Sequence, residues 1–136
     1  MIRPIMKDPI FLGRKSAPAT AEDLYLADDL RDTLAAHRDG CVGMAANMIG
    51  VRKRIIAVHT GFAQVVMLNP VIVSKSGAYE TEEGCLSLDG VRKTTRYEQI
   101  EVSYQDLMMK PHRQKYSGYV AQIIQHEVDH CDGILI

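Results

Sequence analysis

The feature that most constrains this chain is the stretch QHEVDHCDGILI, in which two histidines lie four positions apart and only six residues follow. In an α-helix, side chains four positions apart share one face, so His126 and His130 could bind the same metal ion. Glu127 completes the H-E-x-x-H pattern, in which the glutamate acts as a general base on the water that such an ion activates. The pattern predicts a metal-dependent hydrolytic site on a C-terminal helix, although the histidines could also be exposed or buried singly.

The third ligand of such a site has to be sought upstream. A catalytic site of this kind needs three protein ligands and one open position. Cys131 points about 100° away from His130 around a helix, and Asp132 lies near the end of the chain. Cys85 is the best candidate, because the stretch EGCLS places it in a turn after a strand, beside Gly84. The alternative is the commoner role of a free cysteine, a small buried hydrophobic residue.

Composition bounds the remaining possibilities. With 136 residues, the chain has the size of one domain, and we expect residues 1–136 to form it. It has 16 basic and 17 acidic residues and no dense basic run, which argues against a nucleic-acid partner. No signal peptide or apolar run of membrane-spanning length is apparent, so we expect a cytoplasmic protein without a membrane partner. Three cysteines argue against a disulfide framework and for a reducing compartment.

The order of predicted elements indicates an α+β fold. Residues 20–40 and 117–133 have helical periodicity, with Thr20 and Ser117 as N-caps. Pro111 predicts a turn or hairpin in residues 106–115. Strands are predicted in four segments: residues 51–59, 65–73, 78–84 and 96–106. Together these elements predict antiparallel β-sheets around a C-terminal metal-binding helix, with an N-terminal helix.

Two motifs resemble those of a known family. EGCLS at Glu83–Ser87 and QHEVDH at Gln125–His130, in this order, resemble the second and third signature motifs of the peptide deformylases. The stretches MIRPIMKDPIFL, MLNPVIV and GYVAQIIQHEVDH extend the resemblance along the whole chain. The resemblance implies a metal-dependent hydrolase that removes the N-formyl group from the N-terminal formyl-methionine of nascent peptides. Its partners would be formylated peptide N-termini, which it could bind at the ribosome.

The resemblance also implies roles for individual residues. The implied ligands of one divalent metal ion are Cys85, His126 and His130. The ion expected in the cell is Fe²⁺, with Zn²⁺ or Ni²⁺ as alternatives. Glu127 would act as general base and acid, and the backbone N–H of Leu86 would donate to the oxyanion. Glu83 would anchor its loop through Arg92, which lies seven residues after Cys85 where many members carry an arginine.

The first family motif is where this chain departs. The family pattern is approximately Gly-φ-Gly-φ-Ala-Ala-x-Gln, where φ is apolar, and here the aligned run is CVGMAANM. Gly43 matches, whereas Cys41 replaces a glycine and Met48 replaces the glutamine whose amide binds the formyl oxygen in the family. Methionine has no hydrogen-bond donor. Loss of one oxyanion donor typically slows a reaction by about 10²–10³, so we expect weakened activity unless a slipped register brings Asn47 into the site or Met48 lies in the core.

A substrate pocket is expected where the three motifs meet. We expect it to accept an unbranched side chain such as methionine. Its expected apolar lining is Val42, Leu86, Tyr119 and Ile123, and Gln122 would add one polar group. The leading alternative function is a deformylase-like metal-binding protein without deformylase activity, either a pseudoenzyme or a binder of formylated peptides. A third is an aminopeptidase or other amide hydrolase that uses the same site.

Overall fold

Five antiparallel strands, hydrogen-bonded in chain order, form the one sheet of the fold. The computed structural model describes residues 1–136. The strands are β1 (Gly43–Ala45), β2 (Ile55–His59), β3 (Gln64–Cys85), β4 (Leu88–Gln105) and β5 (Pro111–Ser117). The α-helices are α1 (Pro9–Leu12), α2 (Leu24–Ala36) and α3 (Gly118–Cys131), with 3₁₀ turns at Ala21–Asp23 and Ala46–Ile49. The predicted α+β class with antiparallel strands, an N-terminal helix and a C-terminal helix is confirmed.

The short strand β2 lies between two helical layers. Alternate side chains of a strand point to opposite faces. Both faces of β2 are covered, so all residues from Ile55 to Val58 are buried. Ile55 and Ala57 pack in one apolar cluster with Leu30 and other residues of α2. Ile56 and Val58 pack in the other cluster, which contains the apolar face of α3. The sheet therefore holds α3 at a fixed distance from α2.

The long hairpin of β3 and β4 carries the EGCLS motif to the middle of the molecule. Residues 65–73 and 78–84, predicted as separate strands, are continuous in β3. Asn69 does not end the strand but forms a bulge, with a φ of 52° and a register shift between Leu68 and Val71. Its side chain accepts from the backbone N–H of Ala19 at 2.7 Å, which stabilises the bulge. The hairpin turns after Cys85, which is paired with Leu88.

Several element boundaries differ from the sequence predictions. The first helix has the predicted cap at Thr20, whose N–H donates to Asp23 Oδ2 at 2.8 Å, but regular α-helix covers only 24–36. Ser117 is at the N-cap position of α3 without a side-chain capping bond. The turn predicted around Pro111 occupies 106–110, and Pro111 opens β5, a position where the ladder tolerates proline. Strand β1 and the 3₁₀ turn after it were not predicted. No helix is both long and apolar enough to span a bilayer.

Candidate metal centre and active site

Three potential ligand atoms converge where the tip of the β3–β4 hairpin meets α3. The Sγ of Cys85 lies 3.2 Å from Nε2 of His130. That same nitrogen lies 3.2 Å from Nε2 of His126, one helical turn earlier. The three ligand atoms are all within 4.8 Å of one another. The structure thus brings together the three residues named from the sequence, while Cys131 packs in the apolar cluster beneath α3.

The chemistry and spacing of these atoms fit a metal ion. In a tetrahedral site with metal–nitrogen distances of about 2.0–2.1 Å, two imidazole nitrogens lie about 3.3 Å apart, close to the 3.2 Å between the two histidines. His130 is completely buried. Burial and the nearby His126 lower its pKa to about 3, so the ring is neutral. A neutral imidazole is the form that binds a metal. His126 differs: burial opposes its protonation, but hydrogen bonds with Cys85 and Glu83 raise its pKa to about 10, so it has to lose a proton when a metal binds.

The other ring nitrogen of His126 is held by a buried carboxylate. Its Nδ1 lies 2.8 Å from Oε1 of Glu83, an arrangement that fixes the tautomer and orientation of a metal-binding histidine. Glu83 also accepts from Gln122 Nε2 at 2.8 Å and from the guanidinium of Arg96. Burial opposes ionisation of Glu83, but the hydrogen bonds from its three partners lower its pKa to about 2. The group is therefore a carboxylate under all ordinary conditions.

The prediction that Arg92 is the partner of Glu83 is wrong. Arg92 stands opposite Glu83 in the strand register, but its side chain only approaches the carbonyl of Asp89, at 3.4 Å. Arg96 lies four positions further along β4, which is the same face of a regular strand. It is buried beneath α3, where its Nη1 also binds Asp129 at 2.6 Å.

The sequence did not single out Arg96. The alternation that marks β4 places Ile100, Val102 and Tyr104 in the core, but the series is broken at Glu98, which is exposed. Arg92 and Arg96 also share one face of the strand. The alternation therefore gave no sign that Arg96 in particular would be buried.

Glu127 is buried in the wall of the site, opposite a glycine. Its Oε1 has no hydrogen-bond partner in the protein, and burial raises its pKa to about 7, partly offset by the nearby His126. A bound cation would lower this pKa. A Cβ atom on Gly43 would lie 2.8 Å from Oε2 of Glu127 and 2.6 Å from Cγ2 of Ile123. Glycine at this position therefore lets β1 approach the glutamate closely.

The first motif has the alignment expected from the sequence, with no shift by one residue. Met48 is 1% exposed: it packs in the apolar cluster beneath α2 and also forms part of the wall of the cavity beside the ligands. Its sulfur accepts from the backbone N–H of Ala45 at 3.5 Å. Asn47 is turned away from the cavity and donates from Nδ2 to the carbonyl oxygen of His130 at 2.9 Å. The alternative in which Asn47 replaces the missing glutamine is therefore wrong, and its actual contact was not foreseen.

A cavity of about 290 Å³ opens beside the ligand cluster and Glu127. The five predicted pocket residues all line it: Val42, Leu86, Tyr119, Gln122 and Ile123. Ile123 is 5% exposed, whereas Tyr119 is 65% exposed. Tyr119 therefore lies in the outer part of the wall, while Ile123 lies deep in the cavity together with the polar groups of the site. The cavity also reaches Cys41 and Glu82, which the sequence did not indicate as pocket residues.

Comparison with known proteins identifies the family. A sequence model of the family described as polypeptide deformylase matches residues 2–136. The peptide deformylase of Clostridium beijerinckii is 57% identical over 136 residues, which are 100% of this chain and 100% of that protein. The chain belongs to the peptide deformylase family. The resemblance inferred from the motifs is confirmed, and with it the prediction that the chain is an enzyme of the deformylase class.

Solved deformylase structures share the fold closely. The Met-Ala-Ser bound class I type b peptide deformylase from Acinetobacter baumannii has a TM-score of 0.90 and 33% identity, covering 99% of this chain and 97% of that one. The peptide deformylase from Thermotoga maritima has a TM-score of 0.88 and 29% identity, covering 99% and 95% of the two chains. Deformylases are metal-dependent, which agrees with the ligand cluster found here.

Proposed function

We propose that this enzyme removes the formyl group from the N-terminal formyl-methionine of nascent peptides, with one divalent metal ion held by Cys85, His126 and His130. The observation that carries the proposal is a single cavity that joins the ligand cluster, a buried glutamate and apolar walls. A bound ion would polarise the formyl carbonyl and lower the pKa of a water molecule towards about 7.

Glu127 is the proton carrier in this reaction. It takes a proton from the attacking water and gives it to the departing amine when the C–N bond breaks, so that formate and a free amino terminus are released. Its burial in the cavity wall, with Oε1 free of any hydrogen-bond partner in the protein, supports a carboxylate that can exchange a proton with a bound water molecule. The backbone N–H of Leu86, in the turn after Cys85, donates to the oxygen of the formyl carbon as its negative charge develops.

The activity is weaker than in deformylases that carry glutamine at the position of Met48. A thioether has no hydrogen to donate, and loss of one oxyanion donor lowers the rate by about 10²–10³-fold. The Met48 sulfur is instead an acceptor for the N–H of Ala45. The same replacement favours a second candidate function, a binder of formylated N-termini that does not turn them over.

The substrate is a peptide whose first side chain is apolar and unbranched. Val42, Leu86 and Ile123 give the cavity apolar walls, and the related A. baumannii enzyme has a structure with bound Met-Ala-Ser. The proposed partners are the formylated N-termini of nascent chains, which the enzyme would bind at the ribosome. The proposed unit of function is the single domain of residues 1–136. No nucleic-acid contact is required.

The proposed metal in the cell is Fe²⁺. Thiolate and imidazole ligands suit iron and zinc alike, so exchange for Zn²⁺ or Ni²⁺ is expected during aerobic handling. Metal analysis of protein prepared without oxygen tests this assignment. Zinc at one equivalent in such a preparation, with no iron, would overturn it.

A formate-release assay on a formyl-Met peptide tests the reaction. We expect slow formate release by the Fe²⁺-loaded enzyme and none by Glu127→Gln at equal metal content. Full metal content with no formate from the wild type would favour the binding protein without turnover. Release of a free amino acid in place of formate would favour an aminopeptidase.

A further inference from the structure

Asn47 makes one long-range contact that joins the first motif to the metal-binding helix. The residue is completely buried in the 3₁₀ turn Ala46–Ile49. Its Nδ2 donates to the carbonyl oxygen of His130, which is 83 positions away in the chain, at 2.9 Å. Its Oδ1 has no hydrogen-bond partner in the protein. The bond to His130 is therefore the one hydrogen bond that this buried side chain makes.

The position of that carbonyl gives the bond its importance. Helix α3 ends at Cys131, so the carbonyl of His130 is among those that lack an i+4 partner within the helix. It accepts locally from the N–H of Gly133 at 3.1 Å. Only Asn47 reaches it from a separate element, and the acceptor belongs to the same residue whose imidazole is in the ligand cluster.

Other bonds hold the same helix end without touching the ligand residue. The N–H of Ser16 donates to the carbonyl of Cys131 at 2.8 Å. Arg54 pairs with Asp132 at 2.7 Å. These two bonds restrain the residues after His130. Since ligand groups must be held to about 0.5 Å for a productive site, a bond to the ligand residue itself restrains the cluster most directly.

We propose that Asn47 is a positioning residue for the metal ligand His130. Its amide ties the last turn of α3 to the segment that places Met48 in the cavity wall, so that Nε2 of His130 keeps its place beside Cys85 and His126. This inference rests on the proposed metal site, but not on the proposed reaction.

Co²⁺ binding by three variants tests the inference. Asn47→Ala removes the amide, Asn47→Leu removes it while nearly keeping its volume, and Arg54→Met breaks the neighbouring contact to Asp132. The measurements are the Kd for Co²⁺ by chelator competition, the visible spectrum of bound Co²⁺, and the unfolding midpoint of the metal-free protein. Loss of a hydrogen-bond partner of a metal-binding imidazole typically weakens metal binding by about 10–100-fold, and this range is the guide for Asn47, which holds the backbone of His130 rather than its ring.

We expect both Asn47 variants to bind Co²⁺ at least about tenfold more weakly and with an altered spectrum. Arg54→Met should lower the unfolding midpoint and leave the Kd and the spectrum unchanged. The inference is overturned if a folded Asn47 variant keeps the wild-type Kd and spectrum, or if Arg54→Met weakens binding as much. If the alanine variant does not fold, the leucine variant decides. Wild-type protein that binds Co²⁺ but releases no formate would refute the reaction and leave the inference standing.

Discussion

Arg96 binds both carboxylate oxygens of Glu83: its Nη2 lies 2.7 Å from Oε1 and its Nε lies 3.0 Å from Oε2. The same carboxylate holds Nδ1 of His126 at 2.8 Å, and Glu83 is two residues before Cys85 in the chain. One buried ion pair therefore orients groups on both sides of the ligand cluster. Charged groups at such depth are tolerated because each is paired and hydrogen-bonded.

Replacement of Arg96 by methionine should destabilise the fold strongly. It would leave the carboxylates of Glu83 and Asp129 without their cation, and breaking a buried pair in this way typically costs about 3–5 kcal/mol. The free energy of unfolding of the metal-free protein in urea measures the effect. Arg92→Met is the matched control and should change stability by less than about 0.5 kcal/mol. Equal losses in the two variants would contradict the pairing seen here.

Replacement of Gly43 by alanine should impair catalysis. The added Cβ would lie 2.8 Å from Oε2 of Glu127, so the carboxylate has to move. A displacement of about 1 Å in a catalytic group can cost about 10²-fold in rate, and we expect a loss of that order in formate release with metal content retained. Gly40→Ala is the control, because Gly40 also lines the cavity but has nothing within 4 Å of an added Cβ. An unimpaired Gly43→Ala enzyme would show that Glu127 does not need its observed position.

Removal of Cys85 should abolish stoichiometric metal binding. Its sulfur is in the cluster with His126 and His130. Cys131→Ala should retain the metal, because Cys131 packs in the apolar cluster beneath α3 and is not among the converging ligand atoms. The ratio of metal to protein after dialysis distinguishes the two variants. Full binding by Cys85→Ala would remove this residue from the site.

Glutamine in place of Met48 should raise formate release. The new amide would supply a donor from the cavity wall, and the gain should reach up to about 10²–10³ in kcat and in kcat/KM together. Met48→Leu adds no donor and should stay near the wild-type rate. Glu127→Gln combined with Met48→Gln should eliminate the gain, since no group would then carry the proton. No gain at full metal content would mean either that the side chain at position 48 points into the core or that another group already supplies the donor.

The apolar walls should make the enzyme discriminate between first side chains. A carboxylate placed against Val42 and Ile123 would lose its hydrating water without gaining a hydrogen-bond partner, which is unfavourable in free energy. Formyl-Met peptides should therefore react at least roughly tenfold faster than matched formyl-Asp peptides, by kcat/KM. Equal values for the two peptides would show that the side chain does not enter this cavity.

Local periodicity was enough to predict much of this protein. The four-residue spacing of His126 and His130 puts both rings on one helix face wherever that helix is placed. The alternation through Ile100 and Val102 marks a strand with one buried face for the same reason. The short stretch of chain after His130 pointed to an upstream ligand and so to Cys85, the resemblance of two short motifs agreed, and the structure brings its sulfur to the two rings. These features depend on geometry within a few residues of each position, or on motifs already known.

Only the tertiary structure decided which groups support the cluster. Arg92 and Arg96 lie on the same face of β4, and the choice between them depends on where α3 crosses the sheet. The contact between Asn47 and His130 spans 83 positions, and neither residue's neighbours in the chain indicate it. The continuation of β3 through Asn69 likewise depends on pairing with β4 and on the bond from Ala19. Such contacts follow from strand register and helix packing, which are set by the whole apolar core rather than by any single segment.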